Sequence, residues 1–301
     1  MKTNNSPETL SPAKTWLLAA RPKTLPAAAA PVIMGTAMAF ADGKFHWLAA
    51  LIALFGALMI QIGTNFANDY YDFKSGADNE KRLGPTRATQ AGWVTPAAMK
   101  RAFILVFALA FISGMYLVYR GGWPVLLIGV FSILFGILYT GGPYPLGYNG
   151  WADIFVLIFF GPVAVGGTYY VQALDINKLV LLAGLAPGLI STALLTVNNL
   201  RDVDTDRAAG KRTLVVRFGV GFGRAEYFLS ILTACLLPVI LPLIKGEKYY
   251  AIIATGVILL AIPDIKRVFR LSGSPELNQV LANTGKLLFL FSLAFSLGWI
   301  L

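Results

Sequence analysis

Residues 47–72 read WLAALIALFGALMIQIGTNFANDYYD. The run is almost unbroken apolar character until it meets Asn65, Asn68, Asp69 and Asp72, with Asp78 just beyond. About 20 apolar residues are what an α-helix needs to cross a bilayer. Carboxylates at the end of such a helix are costly, roughly 2.5–3.5 kcal/mol each near the bilayer centre and less toward the interface. A second apolar run does the same thing: residues 179–200 lead into Asn198, Asn199, Asp202 and Asp206, and then Lys211 and Arg212. With Glu80 and Asp204, these two stretches hold about half of the chain's 15 acidic residues. Charge that is scarce everywhere else is concentrated at two helix ends.

Composition sets the class. The chain is 56% hydrophobic and 13% charged over 301 residues, outside the range of water-soluble domains. Nine apolar runs of spanning length recur, at 24–41, 47–68, 97–119, 123–140, 151–171, 179–200, 225–244, 249–265 and 284–301. The expected fold is therefore an all-α polytopic membrane protein forming one domain over 1–301, with 1–15 as a polar cytoplasmic tail. Met1–Lys14 has no apolar core, so no cleavable signal peptide is expected. The net charge of +10 does not point to nucleic acid, because the charges follow topology. With the N-terminus placed in the cytoplasm, segments 1–23, 69–101, 201–224 and 264–286 carry 4, 6, 6 and 4 Lys or Arg. The opposite side holds only Lys44, Arg120, Lys178, Lys245 and Lys248. That is the positive-inside pattern of an inner-membrane protein. Cys235 is the only cysteine and falls within a span, so it is read as packing. His46, the only histidine, lies on the side away from the acids, which removes zinc with Cys/His ligands but leaves an oxygen-ligated metal open.

The acidic clusters close the second and sixth spans, an even number of crossings apart, so both face the same side. Positions three and four apart share a helix face. Asn65, Asn68, Asp69 and Asp72 have that spacing, as do Asn198, Asp202 and Asp206. Ser75-Gly76 is expected to end the first helix and turn Asp78 back over the site. Carboxylates at this density repel one another unless a cation stands between them, and Mg²⁺ suits oxygen donors shared with phosphate. Interfacial helix caps are the plainer reading of either cluster alone. Behind the clusters the sign reverses: Lys74, Lys81, Arg82 and Arg87 after the first, Arg201, Lys211, Arg212 and Arg217 within or after the second. Acids for Mg²⁺ beside bases for phosphate oxygens suit a metal–diphosphate complex; the positive-inside signal accounts for the bases but not for their interleaving. A diphosphate on an isoprenoid chain has a charged head and a tail that belongs in lipid.

Asn68-Asp-Tyr-Tyr-Asp72 followed by Lys74-Ser-Gly-Ala-Asp78 resembles the first Asp-rich motif of the UbiA-type intramembrane prenyltransferases. Asp202-Val-Asp-Thr-Asp206 resembles their second. Arg21-Pro-Lys-Thr-Leu-Pro26, Gly84-Pro-Thr-Arg87, Tyr139-Thr-Gly-Gly-Pro-Tyr-Pro-Leu-Gly-Tyr148 and Gly210-Lys-Arg-Thr213 are similar to the branch that prenylates 1,4-dihydroxy-2-naphthoate in menaquinone synthesis. The resemblance runs from about residue 15 to the C-terminus. It implies a nine-helix bundle around a central cavity and transfer from a polyprenyl diphosphate with loss of CO₂ and diphosphate. It implies Mg²⁺ on Asn68, Asp69, Asp72, Asp202 and Asp206, with Asp78 assisting. Lys81, Arg87, Arg201 and Lys211 are the diphosphate candidates, and Arg21 and Tyr139 those for the acceptor, though Tyr139 also reads as packing. Asp72, Asp202 and Tyr139 are the expected catalytic groups. The chain departs from the branch at Asn149-Gly-Trp-Ala-Asp153, which leaves Asp153 without an assigned task. The loop 141–150 reads equally as a lid or a connector.

Two other functions fit parts of this pattern. Another aromatic acceptor, such as 4-hydroxybenzoate, needs the same motifs. A cation-coupled transporter also places intramembrane carboxylates in two related halves, but nearer the midplane than these stand.

Overall fold

The computed structural model describes residues 11–76 and 82–301, so Asp78, Glu80 and Lys81 lie outside the described residues. The chain opens with α1 (Pro12–Ala20), where Ser11 Oγ accepts from the Lys14 amide and Pro12 occupies the first turn. Helix therefore begins inside the segment expected to be a polar tail. Arg21 breaks it in a left-handed conformation (φ 52°), and a 3₁₀ turn (Pro22–Thr24) leads into α2 (Leu25–Ala41). Next come α3 (Trp47–Lys74) and α4 (Pro96–Gly121). The His46 ring nitrogen starts α3 by accepting from the Ala49 amide at 3.2 Å. Ser75 and Gly76 (φ 71°) end it, as the sequence leads one to expect.

Then follow α5 (Trp123–Leu138), α6 (Ala152–Ile158), α7 (Ala164–Ala173) and α8 (Lys178–Arg201). Beyond them lie the short α9 (Val203–Ala208) and α10 (Leu214–Phe218), then α11 (Val220–Lys245), α12 (Ile258–Arg270) and α13 (Leu277–Ile300). Among the described residues, seven helical segments are long and apolar enough to cross a membrane. Two of the nine expected spans differ. Helix α5 has 16 residues, and the eighth run is a 3₁₀ stretch (Tyr249–Val257) followed by α12. Pro263 and the charged face Asp264, Lys266, Arg267 and Arg270 explain why α12 is not a plain apolar rod. Helices α6 and α7 form one interrupted span: a π-helical turn at Phe159–Val163 carries Pro162, and Gly161 leaves helical geometry there (φ −110°, ψ −112°).

The largest apolar core joins α2, α7, α8, α11, α12 and α13 through side chains such as Met34, Tyr169, Ile190, Tyr227, Phe291 and Trp299. Cys235 belongs to it, as its position in a span suggests. A second core joins α1, α3 and α4 around Phe66, Phe103 and Phe107. Between these two bodies a cavity of about 450 Å³ opens.

One packing contact fixes the wall of that cavity. Helix α8 meets the interrupted span through Gly184 and Gly188; a Cβ on Gly184 would stand 2.8 Å from Pro162 Cα, and one on Gly188 would collide with the Leu157 carbonyl. Small residues let helix backbones close up where lipid offers no hydrophobic drive. Gly188→Leu is expected to cost about 1–3 kcal/mol through overpacking, seen as a lower thermal unfolding midpoint in detergent; an unchanged midpoint contradicts this close packing.

Candidate active site

The last two turns of α3 divide their polar groups among separate tasks. Asp69 accepts the backbone amides of Ala88 (2.9 Å) and Thr89 (3.0 Å) and is buried. That contact pins the loop after α3 so that Arg87 reaches back: its Nη2 donates to Asp72 Oδ2 at 2.8 Å, with both side chains buried. The sequence reading puts Asp69 among the metal ligands. The structure instead gives both its oxygens to the loop, and Asp69 does not line the cavity. Asn68 and Asp72 do line it. Asn68 Oδ1 accepts from Thr140 Oγ1 at 2.9 Å, and Asp72 Oδ1 accepts from the Tyr148 hydroxyl at 2.8 Å.

The second cluster is built differently from the single helical face its spacing suggests. Helix α8 stops at Arg201, Asp202 is its cap (φ −96°, ψ 10°), and α9 carries Asp206. Asp202 also opens α9, its carbonyl accepting from the Asp206 amide at 2.7 Å. Arg201 grips Asp202 with two parallel bonds, Nε to Oδ1 at 2.8 Å and Nη2 to Oδ2 at 2.6 Å. Its third nitrogen donates to Asn278 Oδ1 on α13 at 2.7 Å, and Asn278 in turn donates to the Leu83 carbonyl at 2.9 Å. Gly84 permits this approach: a Cβ there would stand 2.9 Å from Arg201 Nη2. Lys211 Nζ pairs with Asp206 Oδ1 at 3.1 Å and lies 4.7 Å over the Tyr148 ring.

Tyr148 therefore touches both clusters. The loop carrying it is tied to the second one, with the Arg212 amide donating to the Tyr148 carbonyl at 2.7 Å and Arg217 to the Asn149 carbonyl at 2.9 Å. In the sequence Tyr148 lies in a loop that reads equally as a lid or a connector; only the fold brings the loop against the acids. The tasks of Thr140 and Asn278 carry no signal in the sequence, because they depend on contacts between segments far apart in the chain. Asp78 and Lys81 fall outside the described residues.

Asp72, Arg87, Arg201, Asp202, Asp206 and Lys211 line the same end of the cavity. Burial pushes the Asp206 carboxyl above its ordinary range; Lys211 opposes this, and the nearby Asp202 and Asp72 charges add to it. Tyr139 lines the cavity beneath them. Arg21 also lines the cavity. Asp153 does not, and both of its buried oxygens lack a hydrogen-bond partner among the described residues. Below this polar end the walls turn apolar, with Ile52, Ala53, Val118, Val125 and Phe159 reaching toward the opposite end of the bundle. Among the described residues, no three carboxylates stand close enough to cage a metal by themselves. The donors are all oxygens, set one or two per side, which fits a divalent ion that completes its shell with phosphate and water.

Comparison with known proteins supports a single lineage for this arrangement. The model of the UbiA prenyltransferase family matches residues 28–297. The 1,4-dihydroxy-2-naphthoate octaprenyltransferase of Haemophilus influenzae is 36% identical over 296 residues, covering 95% of each chain. That of Escherichia coli is 44% identical over 234 residues, covering 76% of this chain and 74% of its own. Among solved structures, a UbiA homolog from Archaeoglobus fulgidus bound to GPP and Mg²⁺ matches with a TM-score of 0.65 at 15% identity, covering 95% of this chain and all of that one. With the family model spanning nearly all of the helical bundle, and both acid motifs within it, this integral membrane chain belongs to the UbiA prenyltransferase family.

Proposed function

We propose that the protein transfers a polyprenyl group from polyprenyl diphosphate to 1,4-dihydroxy-2-naphthoate, releasing CO₂ and diphosphate and giving demethylmenaquinol. One observation carries the reading: carboxylates of two distant motifs, each held by its own base, line the polar end of a cavity whose other end is apolar. A charged head with a long lipid tail is the ligand such a cavity suits. The nature of the acceptor rests on the relatives named above.

Asn68, Asp72, Asp202 and Asp206 are the groups that would hold Mg²⁺. When bound, the ion supplies positive charge to a departing diphosphate. Arg87, Arg201 and Lys211 stand beside these acids and exchange part of their hold from carboxylate to phosphate oxygen as substrate arrives. The C–O bond to diphosphate breaks, and the leaving group takes the electron pair. The allylic carbon bonds to the ring carbon that carries the acceptor's carboxylate. CO₂ then leaves, returning its bonding pair to the ring, so the reaction releases no net proton. That balance explains why the site works without a histidine, the chain's one histidine, His46, capping the far end of α3. The phenyl rings of Phe135, Phe155 and Phe159 line the shaft and keep water from the cation. The protein would sit in the cytoplasmic membrane with the acid clusters on the cytoplasmic side, because the basic loops gather there. A transporter is disfavoured because these carboxylates are committed to bases at one end of the bundle.

Purified protein given polyprenyl diphosphate, carboxyl-labelled dihydroxynaphthoate and Mg²⁺ is expected to release labelled CO₂ with prenylated product. EDTA should abolish the reaction, and Asp72→Ala and Asp202→Ala should each lower kcat by about 100-fold or more. Product from 4-hydroxybenzoate alone would keep the chemistry and overturn the acceptor. Tyr148→Phe removes the hydroxyl that bonds Asp72 but keeps the ring under Lys211, so a smaller fall, roughly tenfold, is expected. Unchanged kinetics would mean that the bridge between the clusters has no part in turnover.

A further inference from the structure

Below the acids, the 3₁₀ turn before α2 and the helix α3 carry a small polar network inside an otherwise apolar wall. Thr24, Gln61 and Asn65 all line the cavity. Thr24 Oγ1 donates to the Arg21 carbonyl at 3.0 Å and accepts from Gln61 Nε2 at 3.3 Å and Asn65 Nδ2 at 3.1 Å. Asn65 Nδ2 also donates to the Ala20 carbonyl at 2.9 Å, so both of its amide hydrogens are used. These bonds fix the orientation of the two amides. Each turns its nitrogen toward Thr24, and no described residue donates to Gln61 Oε1 or Asn65 Oδ1.

Two carbonyl oxygens held in this way accept hydrogen bonds and offer none. They sit four residues apart on one helix, about 5–6 Å between side-chain origins, a spacing comparable to that of two hydroxyls facing opposite ways across an aromatic ring. Arg21, whose carbonyl anchors the same network, also lines the cavity and brings a positive charge to one end of the pair. A purely structural role for the network needs only the nitrogens; it gives no reason for acceptor oxygens to border a cavity wall made elsewhere of Ile60, Ile52 and Ala57.

We propose that Gln61 and Asn65 read the two ring hydroxyls of the aromatic acceptor, with Arg21 holding its carboxylate. The hydroxyl next to the carboxylate donates to Asn65, one turn nearer Arg21, and the para hydroxyl donates to Gln61, one turn deeper. The site thus selects a para-dihydroxy acid and binds its reduced form, since a quinone has no hydrogen to donate to either oxygen. This inference rests on the proposed transfer to a dihydroxynaphthoate. It assigns binding and specificity to the two amides, and no chemical step.

The test crosses variants with acceptors. For wild type, Gln61→Leu and Gln61→Met, KM is measured for 1,4-dihydroxy-2-naphthoate and for polyprenyl diphosphate, with the inhibition constant of 1-hydroxy-2-naphthoate, which lacks the para hydroxyl. Both variants are expected to raise KM for the dihydroxy acid about tenfold, leaving KM for the diphosphate and inhibition by the monohydroxy acid within twofold. Gln61→Glu, which keeps an acceptor oxygen, should recover most of the lost affinity. If the variants weaken both naphthoates equally, or neither, the assignment of Gln61 is overturned. If wild type neither prenylates nor binds either naphthoate, the reading of the acceptor falls, and this inference with it.

Discussion

The structure depends on how an apolar bundle carries ionised groups at one of its ends. Asp72 with Arg87, Asp202 with Arg201 and Asp206 with Lys211 are ion pairs in contact, the first of them buried. Removing charge from water is favourable only where a partner and further hydrogen bonds complete it. Each pair has such support: Tyr148 on Asp72, Asn278 on Arg201, and the Tyr148 ring beneath Lys211. The segments supplying these groups come from α3, the loops around Gly84, Tyr148 and Lys211, α8, α9 and α13. Closing the ion pairs therefore also closes the polar end of the bundle.

That arrangement leads directly to the proposed chemistry. Carboxylates already balanced by bases can be shared with a cation and a phosphate without creating an unpaired buried charge, because acids and bases exchange partners among themselves. The cavity then grades from ionic, through the amides and hydroxyls of Thr24, Gln61, Asn65 and Tyr139, to apolar. Head group, aromatic acceptor and isoprenoid tail each meet a wall of matching polarity. The Gly184 and Gly188 contact keeps α8 close to the broken α6–α7 span, so that the wall is continuous where Phe155 and Phe159 line it.

Much of this was legible in the chain. Apolar run length located the helices, because a bilayer-spanning helix must satisfy its own backbone, and scarcity of charge marked Asp72, Asp202 and Asp206. Less legible was what each polar group in a cluster does. Asp69 has the spacing of a ligand, yet both its oxygens hold the loop that delivers Arg87, a fact set by a loop conformation that no periodicity encodes. Asp202 lies on an expected helical face, but the helix stops there and Asp206 lies on the next one. Gln61 is an amide inside an apolar run, and no periodicity marks its task; its bond to Thr24, 37 residues away, turns its nitrogen to that hydroxyl in the cavity wall. Tyr148 carries the same lesson, since its contacts with Asp72 and Lys211 join parts of the chain brought together by folding alone.

The central claim is that the two acid motifs form one site completed jointly by a divalent ion and a diphosphate. Titration calorimetry tests it most directly, with geranyl diphosphate added to the purified protein in Mg²⁺ and in EDTA, and Mg²⁺ added with and without the diphosphate. The account predicts strong mutual dependence, each ligand binding at least tenfold more tightly when the other is present, which is about 1.4 kcal/mol of coupling. Diphosphate binding of equal strength in Mg²⁺ and EDTA would contradict it.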